Sequence, residues 1–265
     1  MVKHCLRVLW PHHYDSVVFD SDRRDTHALP PRNPAAAVRL GVLMASRPLT
    51  SSVGTKLLVG ITGLFLFLYL LVHIAGNLVV FAGPDTFNKY AGALAGNPLI
   101  IVIEVVLLAA FLAHIVKTVT MTLANRRARP VAYVVKKPAG GRSRKTLASA
   151  TMIVSGLWLL IFVVLHVKAF KFSPIHETPD GLHDLYRLEM DNFSSPFVVG
   201  FYILSMVVVG SHLSHGISSA LQSLGLDHPA WTPRIVTGGK VIGALIATLF
   251  ILIALWAHFV GGVQA

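Results

Sequence analysis

Long apolar runs without charge constrain this chain more than any other feature. The first run extends from Leu57 to Pro84 and contains no charged residue, and His73 is the only histidine within it. A helix of about 18 or more predominantly apolar residues is long enough to cross the ~30 Å hydrocarbon core of a bilayer. The run therefore predicts a transmembrane helix and disfavours a soluble domain.

Four more segments follow the same pattern, and only 13% of the residues are charged, against about a quarter in soluble domains. The five predicted spans are about Lys56 to Phe81, Pro98 to Leu123, Leu147 to Val167, Pro196 to Leu224 and Val241 to Val263. We predict an all-α membrane protein, a five-transmembrane-helix bundle over residues 49–265. Residues 1–48 lack helical or strand periodicity and the apolar core of a signal peptide, so they are predicted to be a flexible cytoplasmic N-terminal extension.

Charges in the loops indicate the direction of the spans. The connection between spans two and three contains basic residues and no acid: Arg126, Arg127, Arg129, Lys136, Lys137, Arg142, Arg144 and Lys145. The next connection contains acids. By the positive-inside rule the basic loop is cytoplasmic, which predicts a cytoplasmic N-terminus and an outside C-terminus. The net charge of +11 lies in the tail and in loops that flank apolar spans, so it indicates a bilayer surface and not nucleic acid.

Four of the predicted spans contain a histidine, and the four histidines fall at two depths. Counted along each helix, His73 and His166 lie roughly 25–29 Å from the cytoplasmic surface. His114 and His212 lie roughly 24 Å from the outer surface. Each layer therefore receives one histidine from each of two helices, a pattern that side-chain packing alone does not explain.

Two imidazoles on facing helices are what bis-histidine ligation of a haem requires. We predict that His73 and His166 form one pair of iron ligands and that His114 and His212 form a second, for two haems. His215 lies one turn beyond His212 on the same helix face, so it is an alternative ligand or a contact for a haem propionate.

Three other residues bear on the chemistry. Cys5 is the only cysteine, so the chain has no intrachain disulfide and no CxxCH for covalent haem attachment. Glu104 is the only acid inside a predicted span, and intramembrane carboxylates often mark proton paths, although its position near the outer surface also lets it reach water. His258 stands alone on span five and is expected to be a structural histidine.

Four segments resemble the cytochrome b558 type of membrane anchor in succinate dehydrogenase and fumarate reductase. They are KLLVGITGLFLFLYLLVHIAGNL around His73, HIVKTVTMTLANRRARPVAY from His114, LHVKAFKF around His166 and SHLSHGISSALQSLG around His212. The resemblance covers the chain from about residue 51 onward. In that family, one five-helix subunit holds two b haems through four histidines on its first four helices. The family's H-x-x-x-G pattern on the fourth helix fits His212 with Gly216.

The resemblance implies a respiratory complex in a bacterial cytoplasmic membrane. A flavoprotein subunit would oxidise succinate, and an iron–sulfur subunit would pass electrons to this chain, which would reduce menaquinone or ubiquinone. The chain would thus belong to succinate dehydrogenase (complex II) without catalytic residues for succinate. Ser52, Lys56 and Arg126, near the cytoplasmic surface, are candidate quinone-binding residues. Anchoring at the membrane interface is their alternative role.

Other interpretations of the same residues remain open. Histidine pairs also hold iron in Rieske-type iron–sulfur clusters, where two cysteines hold the second iron. Those cysteines would come mostly from a partner chain. A histidine-bearing transporter and a non-redox membrane scaffold are the alternatives from other classes. Against a transporter, the chain shows no internal repeat, and its histidines cluster near the two faces instead of at one central site.

Overall fold

Helices form all of the regular structure in the part of the chain that the computed structural model describes, which is residues 51–128, 145–174 and 176–261. No strand occurs in these ranges; an isolated bridge joins Glu177 and His183. The predicted extension 1–48 lies outside the described residues, as do residues 129–144 of the basic loop.

Eight α-helices and one 3₁₀ helix make up the described ranges. They are α1 (Ser52–Asn77), the 3₁₀ helix Leu78–Ala82, α2 (Pro84–Ala95), α3 (Leu99–Arg127), α4 (Leu147–Ala150), α5 (Met152–Lys171), α6 (Leu185–Phe193), α7 (Pro196–Ser223) and α8 (Thr232–Phe259). Five segments are long and apolar enough to cross a membrane: α1 with its 3₁₀ extension, α3, α5, α7 and α8. The predicted all-α class and the five long apolar helices are therefore confirmed.

Local sequence explains where several helices begin. The Ser51 hydroxyl accepts a hydrogen bond from the Gly54 amide at 3.0 Å and caps α1. Pro196 occupies the first turn of α7, where a missing N–H costs nothing. Between the 3₁₀ helix and α2, Gly83 has φ +92°, a conformation that side-chain-bearing residues rarely adopt.

Two predicted spans differ from the helices observed. Span three is divided at Thr151, which separates Leu147–Ala150 from α5. The Thr146 and Ser149 side chains form a capping box at the start of the short helix. Span five starts at Thr232 and not at Val241. The first turns of α8 were not predicted because they contain Arg234 and Lys240. Hydropathy identifies the apolar part of a helix and not the polar turns that continue it.

Helices α7 and α8 form the closest contact between the spans. A Cβ built on Gly243 would lie 2.8 Å from the Gly210 carbonyl oxygen, and one built on Gly210 would lie 3.0 Å from the Ala247 Cβ. Glycine at both positions lets the two backbones touch, as small residues do in membrane helix pairs. We call this contact the glycine seam. By contrast, α3 has no buried residue along its length.

A pair of short helices, α2 and α6, covers one end of the bundle. Buried Asn88 of α2 donates to the Asp184 carboxylate at 2.8 Å and accepts from the Tyr186 amide at 2.9 Å. The Tyr186 hydroxyl in turn donates to the Gly261 carbonyl after α8. We call this end the cap end and the opposite end, where α3 finishes at Arg127, the arginine end.

Candidate functional site

Two of the predicted ligands meet near the cap end. The ring centroids of His73 on α1 and His166 on α5 lie 5.9 Å apart, with the ring planes at 86°. Each ring also stacks on an aromatic residue of its own helix, Tyr69 at 5.5 Å from His73 and Phe162 at 5.6 Å from His166. We call His73 and His166 the outer pair.

The spacing of the outer pair is of the size that a shared metal ion requires. An imidazole nitrogen lies about 2 Å from the metal it binds, so two rings facing each other across one ion have centroids roughly 6 Å apart. The observed centroid distance of 5.9 Å is close to that figure.

His114 on α3 and His212 on α7 lie nearer the arginine end, close enough for their rings to interact electrostatically. We call them the inner pair. A Cβ built on Gly63 of α1 would lie 3.1 Å from the His114 Cε1 atom, and one built on Gly156 of α5 would lie 3.8 Å from that of His212. Each inner ring therefore rests over a glycine of a neighbouring helix.

All four histidines have a polar group at their Nδ1 atom. In the inner pair, the Thr62 hydroxyl lies 3.2 Å from the His114 Nδ1 and the Ser155 hydroxyl lies 3.0 Å from the His212 Nδ1. In the outer pair, the Asn77 amide nitrogen lies 3.4 Å from the His73 Nδ1, and the Tyr202 hydroxyl lies 3.3 Å from the His166 Nδ1. In the described ranges no hydrogen bond to the Nε2 atom of His73, His166 or His212 occurs, and the His114 ring also interacts with the Val59 backbone.

This arrangement fits a metal-binding imidazole. A ligating histidine almost always gives its second ring nitrogen to a hydrogen bond, which fixes the ring's orientation and leaves the other nitrogen to the metal. A hydroxyl that can accept this bond lies at the Nδ1 atom of His114, His166 and His212 and leaves Nε2 for a ligand. The Asn77 amide nitrogen beside the His73 Nδ1 can only donate. His114, His166 and His212 are therefore suited to hold iron through Nε2, and His73 would do so only with its proton on Nδ1.

The number of donors favours haem over a bare ion. Within the described residues there is no group of three or more His, Cys, Asp or Glu side chains that could hold a metal. Two imidazoles complete the coordination of iron only when another group supplies the remaining ligands, as the four nitrogens of a porphyrin do. A Rieske-type cluster needs cysteines as well, and Cys5, the only one in the chain, lies outside the described residues.

The other two membrane histidines differ from these four. His258 near the end of α8 donates from Nδ1 to the Phe193 carbonyl at 2.7 Å, which ties α8 to α6, as expected of a structural histidine. His215 lies one turn from His212, within range of electrostatic interaction with it, and no hydrogen bond to its ring occurs in the described ranges. Its alternative role as a ligand stays a prediction.

Glu104 on α3 forms an ion pair with Lys171 at the end of α5. Both side chains are about half exposed, at 45% and 51%. The pair joins two helices that otherwise touch little, so it gives Glu104 a structural role. The predicted role in a proton path stays a prediction.

The three candidate quinone-binding residues lie exposed at the arginine end. Ser52 and Lys56 are in the first turns of α1, and Arg126 is in the last turn of α3, the helix that packs beside it. No hydrogen bond joins these three side chains to one another. They lie at the same end of the bundle without forming a closed site, and their predicted role in quinone binding stays a prediction.

Sequence reasoning missed the residues that contact the histidines from other helices. Thr62, Ser155 and Tyr202 all act across a helix interface, and such partners depend on how each helix is rotated. It also missed Glu189 on α6, a carboxyl group with 4% exposure. Burial raises its pKa to about 8.

Comparison with protein-family models, with curated proteins and with solved structures finds no match for this sequence.

Proposed function

We propose that this chain is a cytochrome b558-type membrane anchor of a bacterial succinate:quinone oxidoreductase. Its partners would be a flavoprotein subunit and an iron–sulfur subunit, and its acceptor a quinone, either menaquinone or ubiquinone. One observation carries the proposal. Four histidines on four apolar helices form two pairs, and in three of the four rings a hydroxyl that can accept a hydrogen bond lies at Nδ1 and leaves Nε2 available.

In this function the histidines hold two b haems, the outer pair one and the inner pair the other. Bound haem supplies a reversible one-electron carrier. The four helices hold the imidazoles at two depths, so that electrons from the iron–sulfur subunit have carriers along the bundle. The apolar surface of α3, where Ile101 is 66% exposed, suits contact with lipid and lipid-soluble quinone.

The arginine end would face the cytoplasm and dock the soluble subunits. Arg126 and Arg127 end α3 there, and the basic loop continues from them in the sequence. The positive-inside rule then gives a cytoplasmic N-terminus, an outside C-terminus and an outer position for the cap end. Ser52, Lys56 and Arg126 would supply hydrogen-bond donors to a quinone carbonyl near that cytoplasmic surface.

A redox-difference optical spectrum of the purified complex, with haem, iron and acid-labile sulfide quantified, tests this proposal. We expect two haems per chain and a b-type spectrum. Iron with acid-labile sulfide and no porphyrin would instead support a Rieske-type cluster at a histidine pair. A complex without iron would refute redox function and favour the transporter or scaffold alternatives.

Substitution of the inner pair tests the same proposal by activity. We expect His114→Ala or His212→Ala to abolish succinate-driven quinone reduction while the complex still assembles. His258→Gln is the matched control, because this histidine also lies in an apolar helix but bonds a backbone carbonyl. Normal turnover in both inner-pair variants would contradict the assignment.

A further inference from the structure

The two helices that carry the outer pair share a second sequence feature. On α1, Thr62 is followed by Gly63, and His73 comes eleven residues after Thr62. On α5, Ser155 is followed by Gly156, and His166 comes eleven residues after Ser155. Eleven residues make about three helical turns, so the hydroxyl and the histidine lie on the same face of their helix, roughly 16 Å apart.

Both hydroxyl–glycine pairs contact the inner histidines. The Thr62 hydroxyl lies at the His114 Nδ1, and Gly63 leaves space for that ring. The Ser155 hydroxyl lies at the His212 Nδ1, and a Cβ on Gly156 would make only ordinary van der Waals contact with that ring. Each of α1 and α5 therefore carries one outer histidine and one polar contact to an inner histidine.

The direction of these hydrogen bonds follows from the other contacts of the hydroxyls. Thr62 donates its hydrogen to the Leu58 carbonyl at 2.7 Å, and Ser155 donates its hydrogen to the Met152 carbonyl at 3.0 Å. A hydroxyl has one hydrogen to donate, so while that hydrogen is bonded to the carbonyl, the hydroxyl can only accept from the imidazole. In that arrangement His114 and His212 carry their proton on Nδ1, which leaves a lone pair on Nε2.

We infer that Thr62 and Ser155 are positioning residues, which fix the inner histidines in the Nδ1–H tautomer and so present Nε2 to the iron. That Nε2 is presented to iron rests on the proposed function, whereas the tautomer of the two histidines does not depend on it. The outer pair lacks the same device, because its Nδ1 atoms face an amide nitrogen and a phenol at longer distances.

Histidine ¹⁵N chemical shifts distinguish the two tautomers and test this inference directly. The sample is the cofactor-free full chain in detergent with ¹⁵N-labelled histidine, and His114→Gln and His212→Gln variants identify the two signals. We expect the Nδ1–H form at both positions. Thr62→Val should move only the His114 signal towards the other tautomer, and Ser155→Ala only the His212 signal.

Two further variants separate positioning from general disturbance. Thr62→Ser keeps the hydroxyl and should restore the wild-type His114 signal. Thr120→Val removes a hydroxyl on α3 that bonds only backbone carbonyls, and it should change neither histidine. Unchanged shifts in both Thr62→Val and Ser155→Ala would overturn the inference.

Titration of the same samples with haem tests the consequence for ligation. Loss of an outer-sphere partner of a metal ligand typically weakens binding 10–100-fold, so we expect at least roughly tenfold weaker uptake at the inner pair in Thr62→Val and Ser155→Ala. Uptake equal to wild type despite altered tautomers would overturn the positioning role. Absence of haem and iron uptake by the wild-type chain would instead contradict the proposed function, whatever the tautomers show.

Discussion

Glu189 is a carboxyl group in an apolar setting. It lies on α6 with 4% exposure, in electrostatic range of Tyr186 and Tyr202, and no hydrogen bond to it occurs in the described ranges. Burial disfavours the ionised form and raises its pKa to about 8 from an ordinary value near 4.5. The folded protein therefore holds Glu189 neutral at pH 7, whereas the unfolded chain ionises it.

This pKa difference predicts how stability varies with pH. Between about pH 4.5 and pH 8 the folded state binds one more proton at Glu189 than the unfolded state, so the stability contributed by this group falls as pH rises and levels off above pH 8. Each unit of pKa difference corresponds to about 1.4 kcal/mol. Glu189→Gln, neutral at every pH, should remove this dependence and raise the thermal midpoint above that of wild type at pH 8.

Thermal unfolding of the detergent-solubilised chain at several pH values between 5 and 8 measures the effect. Glu177→Gln is the control, because Glu177 is exposed and should leave the pH profile unchanged. Parallel profiles for wild type and Glu189→Gln would contradict this prediction.

Counting residues along the spans was enough to predict which histidines lie near each other. Depth depends only on the rise per residue, and His73 and His166 do meet. The partners of their Nδ1 atoms could not be predicted in the same way, because α1 and α5 are apolar all round and hydropathy does not define which face turns inward. The repeated hydroxyl–glycine spacing before His73 and His166 was the available signal.

At the scale of helices, the glycine seam holds α7 and α8 together. A Cβ at Gly243 would meet the Gly210 carbonyl oxygen at 2.8 Å and the Ser214 amide nitrogen at 3.1 Å, and both are backbone atoms that cannot rotate away. We therefore expect Gly243→Ala to separate the helices and destabilise the protein by about 1–3 kcal/mol.

A matched substitution on the same helix provides the control for Gly243→Ala. A Cβ at Gly238 meets no atom within 4 Å, so Gly238→Ala should be tolerated or slightly stabilising, since alanine favours helix. Thermal midpoints of the two variants in detergent measure the difference. Equal midpoints would show that the seam does not limit the approach of α7 and α8.

The long helices were predictable and the short ones were not. Hydropathy identifies a span of some twenty residues without any knowledge of its neighbours. Helices α2 and α6 are short and amphipathic, and they depend on Asn88 joining Asp184 and the Tyr186 amide across the chain. Neither segment, taken alone, predicts the contact between Asn88 and the start of α6.

For the whole molecule, the proposed orientation can be tested by labelling. The background is Cys5→Ser, which removes the only cysteine. Asp180→Cys lies in an exposed turn before α6, and Arg127→Cys lies at the exposed end of α3. We expect a membrane-impermeant maleimide to label Asp180→Cys in intact cells and Arg127→Cys only after permeabilisation. The reverse pattern would invert the topology and move the docking face to the cap end.

Helix α7 touches α8 on one side and bears His212 on another. Residues two apart on a helix project about 200° from each other, so Gly210 and His212 point in nearly opposite directions. The contact with α8 restricts rotation of α7 about its own axis. The direction of the His212 ring on the other side of α7 therefore depends on that contact. Changing the orientation of His212 therefore begins on α8, a helix that carries none of the four paired histidines.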